Sequence, residues 1–135
     1  MRPILSRKQF LKTFSLGLAV VLPKLDQPLK CATKSCYLQS CRLAGLSYYH
    51  YQEFTQTLQA GKVLELRAEP NNPHDPYAVE VFLPGQGKLG YLPRNCNHVV
   101  SHLLRQGQAL RAEITRLHPE ERIDRQLEIK IELLS

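Results

Sequence analysis

Residues 63–94, VLELRAEPNNPHDPYAVEVFLPGQGKLGYLPR, give the clearest indication of the fold, because tight turns separate their extended segments. In residues 63–69, apolar side chains alternate with Glu65 and Arg67, and this period of two predicts a strand with one face in water. Residues 70–76 then hold three prolines, two asparagines and an aspartate. Because each proline fixes its own backbone and restricts the residue before it, this segment predicts a rigid loop.

Further strands are predicted on both sides of that loop. Residues 78–83 and 88–92 are predicted strands, joined by the hairpin turn Pro84-Gly85-Gln86-Gly87. Alternating patterns predict three more strands, at residues 42–46, 109–117 and 126–134. The strands are grouped and do not alternate with long helices, which favours an antiparallel arrangement over a parallel sheet.

Two short helices are predicted between the strands. The first covers residues 53–59 and ends at Gly61, as helices commonly end at glycine. The second runs to Arg105 with Asn95 as its N-cap. Its predicted buried side consists of Val99, Val100, Leu103 and Leu104. The predicted fold is therefore mainly β, a small six-stranded barrel with two short helices over residues 42–135.

The positive charge of the chain is concentrated at its N-terminus. The net charge is +6, and clustered basic residues favour nucleic-acid binding. Residues 1–42 carry eight basic side chains and one acidic one, whereas residues 43–135 carry ten basic and eleven acidic side chains, a net charge of −1. The bulk charge of the domain therefore does not predict DNA binding, and any such binding requires a local pocket.

Residues 1–24 have the pattern of a signal, targeting or anchor segment. Four basic side chains precede the uncharged run at residues 14–22, which is too short to span a bilayer by itself. Residues 6–12, SRKQFLK, resemble the twin-arginine export signal, with Lys8 in the place of the second arginine. We expect an exported or membrane-attached protein in preference to a cytoplasmic one. The alternative is an N-terminal helix packed on the domain.

Residues 25–41 are predicted to be a linker, and they contain three of the four cysteines. These three are Cys31, Cys36 and Cys41, and Cys96 follows far downstream. An even number of cysteines fits disulfides if the protein is exported, and free or buried thiols are the alternative. The spacing lacks the paired Cys-x2-Cys knuckles of zinc sites, so no metal site and no cofactor is expected.

Four blocks of sequence carry a resemblance to a known family. They are LAGLSYY at 43–49, LELRAEPNNPHD at 64–75, AVEV at 78–81 and KLGYLPR at 88–94. In order and spacing these blocks resemble the HIRAN domain over residues 42–117. The resemblance implies an OB-like barrel, which in fork-remodelling helicases captures the 3′ end of single-stranded DNA. Since the sequence carries no Gly-x-x-x-x-Gly-Lys-[Ser/Thr] loop, it resembles the stand-alone bacterial form.

The resemblance also implies a set of nucleic-acid-binding residues. They are Ser47, Tyr48, Tyr49, Asn72, His74, Asp75, Tyr91 and Arg94. Each tyrosine of the adjacent pair can stack on a base, worth about 1–3 kcal/mol, or can belong to the core. The Asp75 carboxylate can accept a hydrogen bond from a terminal 3′-hydroxyl, and it can also cap its own loop. Arg94 can pair with a phosphate, or it can be a solvated charge at the head of a helix.

Two of these residues depart from the family pattern. Ser47 stands where the family often has an arginine, which removes one phosphate contact. His74 stands where a tyrosine is common, and its ring can still stack. We therefore expect weaker binding than in the helicase-borne relatives.

The sequence thus predicts a nucleic-acid-binding module that recognises single-stranded DNA 3′ ends and has no catalytic activity of its own. The alternative is an exported or envelope-associated module that binds a protein partner or has a structural role, and the fold alone does not distinguish the two. An enzyme is disfavoured. His74 lies beside Asp75, but no Ser or Cys nucleophile stands at a recognisable spacing from them. The expected partners are single-stranded DNA or DNA ends, with membrane attachment through residues 1–24.

Overall fold

The computed structural model describes residues 33–135, so the predicted targeting segment and Cys31 lie outside the described residues. Within this range, six antiparallel strands form one sheet: β1 (Ser35–Arg42), β2 (Val63–Ala68), β3 (Val79–Leu83), β4 (Gly87–Tyr91), β5 (Leu110–Leu117) and β6 (Leu127–Leu134). The helices are α1 (Tyr51–Phe54), α2 (Arg94–Arg105) and two 3₁₀ helices, Leu46–Tyr48 and Ile123–Arg125. None of the helices in the described range is long and apolar enough to cross a membrane.

The mainly β fold is confirmed, and five of the six strands lie within one residue of their predicted bounds. The first strand was predicted at residues 42–46, and this prediction is wrong because β1 covers Ser35–Arg42. Half of the β1 residues are exposed at the edge of the sheet, and Cys41 is its one buried residue. The apolar alternation that identifies a half-buried strand is therefore missing, and residues 35–41 belong to the sheet and not to a linker.

The order of the strands is β1-β6-β5-β2-β3-β4. Strand β2 connects two halves of the sheet, because Val63 and Leu64 pair with β5 whereas Glu65 to Ala68 pair with β3. The two edges of the sheet meet at a single bridge. The Ala44 N–H donates to the Tyr91 carbonyl at 2.9 Å, and the Tyr91 N–H donates to the Ala44 carbonyl at 3.0 Å. The predicted barrel is thus a six-stranded sheet that is not closed by a ladder, and this bridge links the segment after edge strand β1 to edge strand β4.

This bridge depends on Gly90, which is buried next to Tyr91. A Cβ atom at position 90 would lie 2.4 Å from the carbonyl oxygen of Ala44, far inside van der Waals contact. A glycine is therefore required for the two backbones to come this close. On the other side of the bridge, Gly45 has φ of 74° and turns the chain into the first 3₁₀ helix.

The core lies inside the sheet and is apolar. Its fully buried large side chains come from four of the strands, β3 to β6, from α2 and from the segment after β1: Leu43, Leu46, Val79, Val81, Leu83, Leu89, Val100, Ile114, Leu127, Ile129 and Ile131. Leu43 and Leu46 flank Ala44 in sequence. Burial of this pair therefore anchors both ends of the segment that bridges to β4.

Helix α2 is rotated away from its predicted orientation. Val100 is fully buried as predicted, but Val99 is 58% exposed, and Asn97 and Ser101 are buried instead. Successive residues of a helix lie about 100° apart, so burial of Val100 together with Asn97 and Ser101 turns Val99 toward solvent. The rotation allows Asn97 to hydrogen-bond Asp75 across the fold. Pro93, not Asn95, occupies the N-cap position.

The first helix also differs from its prediction. It begins at Tyr51, and its regular part ends at Phe54, before turns lead to Gly61. Tyr51 is buried, so packing of an aromatic side chain fixes this short helix more than its helical propensity does.

We predict that Gly90→Ala lowers the free energy of unfolding by about 1–3 kcal/mol, the usual cost of forcing an extra carbon into a packed site. Urea unfolding followed by circular dichroism measures this change. Gly87→Ala, in the same strand, is the control because a Cβ there would meet only the end of the Phe54 ring, at 3.2 Å. If the two variants lose equal stability, the close approach at the bridge is not a constraint on the fold.

Candidate nucleic-acid interface

A pocket of about 250 Å³ opens beside the bridge between Ala44 and Tyr91. Five residues that the sequence predicts for DNA binding line it: Asn72, His74, Asp75, Tyr91 and Arg94. Its other lining residues are apolar: Ala44, Ala78, Leu92 and Pro93. The loop at 70–76, the end of β4 and the start of α2 therefore converge on one concave surface.

Asn72 holds the proline-rich loop in shape. Its Oδ1 atom accepts hydrogen bonds from the backbone N–H groups of His74, at 2.9 Å, and Asp75, at 3.1 Å. Its Nδ2 atom donates to Glu69 Oε2 at 2.9 Å. Asn72 thus forms a turn with its own loop, as asparagine commonly does, and this positions the two residues that follow.

Asp75 is held by hydrogen bonds on both carboxylate oxygens. Oδ1 accepts from the backbone N–H of Tyr77 at 2.9 Å, and Oδ2 accepts from Asn97 Nδ2 at 2.7 Å. The Tyr77 backbone bond, aided by Asn97 and by the nearby Arg94, holds the pKa of Asp75 below its ordinary value. An ionised carboxylate has about four acceptor positions, so it can still accept a hydrogen bond from a ligand.

Arg94 borders the pocket at the first residue of α2. Its Nη2 atom donates to the His74 carbonyl at 3.1 Å, and its Nε atom lies 4.0 Å from Asp75 Oδ2. The side chain is 76% exposed, so most of its guanidinium remains open to solvent. This arrangement leaves donors for an anion at the mouth of the pocket.

Tyr91 belongs to a half-buried polar network that the sequence did not predict. Its hydroxyl donates to Glu69 Oε2 at 2.8 Å and accepts from Lys88 Nζ at 2.6 Å, while Lys88 also donates to Glu80 at 2.8 Å. Burial raises the pKa of Tyr91 to about 12, against the opposing effect of Lys88. For Lys88, burial opposes the charge, but the bonds to Glu80 and Tyr91 outweigh it and raise the pKa.

The register between β3 and β4 explains why this network escaped prediction. Glu80 lies directly opposite Tyr91 across the two strands, and Lys88 reaches both side chains. A bulge at Val81 and Phe82 shifts the pairing beyond that point. The sequence shows charged residues in β3 and β4, but only the register of the two strands identifies them as partners.

The two adjacent tyrosines differ in their surroundings, because Tyr49 packs against Tyr91 whereas Tyr48 is exposed. The Tyr49 ring packs edge-on against Tyr91, with centroids 5.9 Å apart, and Lys88 Nζ lies 4.6 Å from the Tyr49 ring centroid. Tyr48 is 86% exposed. Ser47 donates to Asp124 Oδ1 at 3.1 Å, which directs its hydroxyl to the second 3₁₀ helix. Ser47, Tyr48 and Tyr49 do not line the pocket, and their role in binding stays a prediction.

The described cysteines are free thiols. Cys36 is exposed, Cys96 is half-buried and Cys41 is buried. Burial, together with the neighbouring Cys96, raises the pKa of the Cys41 thiol to about 12. Cys41 is therefore a core residue with a protonated thiol. This agrees with the alternative, stated from the sequence, that the cysteines are free or buried thiols.

One group of side chains among residues 33–135 has the composition of a metal site. His118, Glu120 and Glu121 place ligand atoms within 4.8 Å of one another in the connection between β5 and β6. Arg42 already pairs with Glu121 at 2.6 Å, and the His118 ring contacts Glu128 at 3.3 Å. Glu121 and His118 therefore already have partners within the protein.

Comparison with known proteins agrees with this architecture. A family model described as the HIRAN domain matches residues 37–134. A crystal structure of a Lactobacillus plantarum protein is similar, with 28% sequence identity, a TM-score of 0.67 and coverage of 76% of this chain and 98% of that one. The HIRAN domain of human HLTF is 17% identical, with a TM-score of 0.57 and coverage of 75% and 79%, and at that identity the likeness shows the fold alone. No curated protein matches the chain.

We predict that Asp75→Asn lowers the free energy of unfolding at pH 7, and that this difference from the parent shrinks as the pH falls toward 3. The pKa of Asp75 is depressed in the folded state, so its stabilisation is present above the unfolded value of about 3.9 and is lost as the pH falls through the folded value. Urea unfolding at both pH values measures the difference.

Asp124→Asn is the control, since Asp124 is an exposed carboxylate that accepts from Ser47. It should change stability little at either pH. An Asp75→Asn deficit of the same size at pH 7 and pH 3 would show that the charge of Asp75 does not stabilise the loop.

Proposed function

Because the chain belongs to the HIRAN domain family, we propose that it is a nucleic-acid-binding module that holds the 3′ end of single-stranded DNA and has no catalytic activity of its own. Family membership indicates nucleic-acid binding in general. The finer proposal rests on one observation, the convergence of a bonded carboxylate, an exposed arginine and an apolar wall on one small pocket.

The size of the pocket suits a terminal group. Pockets for drug-sized ligands measure about 300–1,000 Å³, and this one is about 250 Å³. It therefore suits about one nucleotide and excludes a base pair. A strand that enters must present its end or an unpaired, splayed base.

The carboxylate of Asp75 supports selection of a hydroxyl end. Its bonds to Tyr77 and Asn97 keep it ionised and fixed, and it has acceptor positions left for a ligand hydroxyl. A terminal 3′-hydroxyl is a donor that an internal nucleotide lacks. A 3′-phosphate would be repelled, because two like charges about 4 Å apart near a protein surface cost about 4 kcal/mol before screening.

Arg94 and Tyr48 supply the two remaining contacts. The exposed guanidinium of Arg94 lies at the pocket mouth, where it can bind the phosphate that precedes the terminal nucleoside. The exposed ring of Tyr48 offers a face for a base, and such stacking does not read sequence. Since residues 43–135 carry a net charge of −1, stacking should contribute more than bulk attraction.

We further propose that residues 1–24 export the chain or attach it to a membrane, on the basis of the basic cluster that precedes their apolar run. An extracytoplasmic location would favour the alternative function, a protein-interaction or structural module, over DNA binding. Cell fractionation combined with N-terminal sequencing distinguishes the two locations.

We predict that Tyr48→Ala weakens binding of a fluorescein-labelled oligothymidylate by about 1–3 kcal/mol, the range for loss of one base-stacking contact. Fluorescence anisotropy with the full chain measures it. The side chain is 86% exposed, so the variant should unfold at the same temperature as the parent.

Tyr37→Ala is the matched control, because Tyr37 is also a largely exposed tyrosine, 61% exposed, but lies on the edge strand β1. It should bind like the parent. Equal affinity of the parent and Tyr48→Ala, or equal losses in both variants, would contradict stacking at Tyr48.

A further inference from the structure

Helix α2 presents an exposed face that starts at the pocket. Arg94, His98, His102 and Arg105 are all exposed, and their spacing of four, four and three residues aligns them along one side of the helix. We call these four residues the α2 stripe. At 1.5 Å per residue it is about 16 Å long. Its first member, Arg94, lines the pocket.

A cluster of rings lies along this stripe. The Tyr77 ring centroid is 4.1 Å from that of His98 and 5.4 Å from that of His102, and the two histidine rings are 4.7 Å apart. The Arg105 guanidinium lies 5.7 Å from the Tyr77 ring centroid and donates to the Pro76 carbonyl. Tyr77 lies two residues after Asp75, and its backbone N–H donates a hydrogen bond to the Asp75 carboxylate. The ring cluster is therefore continuous with the pocket.

The charge of the stripe differs from that of the domain. No aspartate or glutamate occurs between Glu80 and Glu113, and this interval contains four Lys or Arg residues. Three of these have an acidic partner: Lys88 has Glu80, Arg111 has Glu113, and Arg94 has Asp75 at 4.0 Å. Arg94 is nevertheless 76% exposed, and it belongs to the stripe together with Arg105. Asp75 is the acidic side chain next to the stripe, at its pocket end. The net charge of −1 for residues 43–135 therefore conceals a local basic surface.

We infer that the α2 stripe binds the sugar-phosphate backbone of single-stranded DNA as the strand leaves the pocket, an inference that rests on the proposed function. Arginine and histidine donate hydrogen bonds to phosphate oxygens, and the exposed histidine rings also offer faces for bases. About 16 Å of helix spans about five phosphates at the spacing of a stacked strand, and fewer in an extended one. The site thus extends by several nucleotides beyond the terminal one.

The test compares two lengths of oligothymidylate, of four and twelve nucleotides, each with a 5′ fluorescein and a free 3′-hydroxyl. The full chain and the triple variant His98→Gln, His102→Gln, Arg105→Gln are titrated by fluorescence anisotropy. We expect the triple variant to weaken the twelve-nucleotide complex about ten-fold and to change the four-nucleotide complex less than about two-fold. Arg116→Gln, which removes an exposed arginine of β5, is the charge-matched control and should leave both complexes unchanged.

A second variant does not depend on loss of function. Val99 is 58% exposed beside the stripe, so Val99→Lys should tighten binding of the twelve-nucleotide strand about two-fold or more. Tighter binding requires a folded protein, so the Val99→Lys result tests whether the α2 stripe binds DNA even if the triple variant unfolds.

The inference is overturned if the triple variant binds the long strand as the parent does, or if it loses the same factor for both lengths. It is also overturned if Val99→Lys leaves the affinity unchanged. In those cases a loss with Tyr48→Ala at both lengths would still support the proposed function. If the parent binds neither oligonucleotide, the proposed function itself fails.

Discussion

The reciprocal hydrogen bonds between Ala44 and Tyr91 join the two edges of the sheet, and the arrangement of the interface depends on them. They connect the segment after β1 to the end of β4, although 47 residues separate the two positions. Gly90 permits the approach because a Cβ atom there would collide with the Ala44 carbonyl. Once the edges meet, the tyrosine segment that follows Gly45 lies against Tyr91, and the pocket opens beside the same bridge.

Two polar networks then fix the walls of the pocket. On one side, Asn72 and Asp75 bond the backbone of their own loop, and Asn97 ties that loop to α2. On the other side, Lys88, Tyr91 and Glu69 form a chain of short hydrogen bonds. Glu69 also accepts from Asn72, so the two networks share one carboxylate. Because Asn72 and Asp75 are hydrogen-bonded within the protein, the loop is preorganised, and a ligand need not pay the entropy of ordering it.

The sequence predicted those features that depend on local patterns. The alternation in residues 63–69 and the prolines of residues 70–76 were enough to predict β2 and the rigid loop, and the loop residues do line a pocket. The edge strand β1 was not predicted because only one of its residues is buried and the strand shows no apolar period. The rotation of α2 was not predicted. Asn97 is buried in place of Val99 and hydrogen-bonds Asp75, and this polar contact does not follow from the apolar pattern of the helix.

Features that depend on register could not be predicted. Lys88, Glu80 and Tyr91 meet across two strands, and a bulge shifts their pairing. The charge count illustrates the same limit, because a net charge of −1 over residues 43–135 gave no sign of a basic helix face. The exposed positions of Arg94 and Arg105 on α2 became evident only from the fold.

A comparison of strand ends tests the proposal that the pocket holds single-stranded DNA by its 3′-hydroxyl end. The full chain is titrated with two four-nucleotide oligothymidylates that differ only in a 3′-hydroxyl or a 3′-phosphate. The basic N-terminal segment would bind the extra phosphate more tightly, whereas the Asp75 pocket would repel it. We predict affinity at least ten-fold higher for the hydroxyl end, and loss of this preference in Asp75→Asn. Equal affinity for the two ends, or tighter binding of the phosphate, would contradict the account.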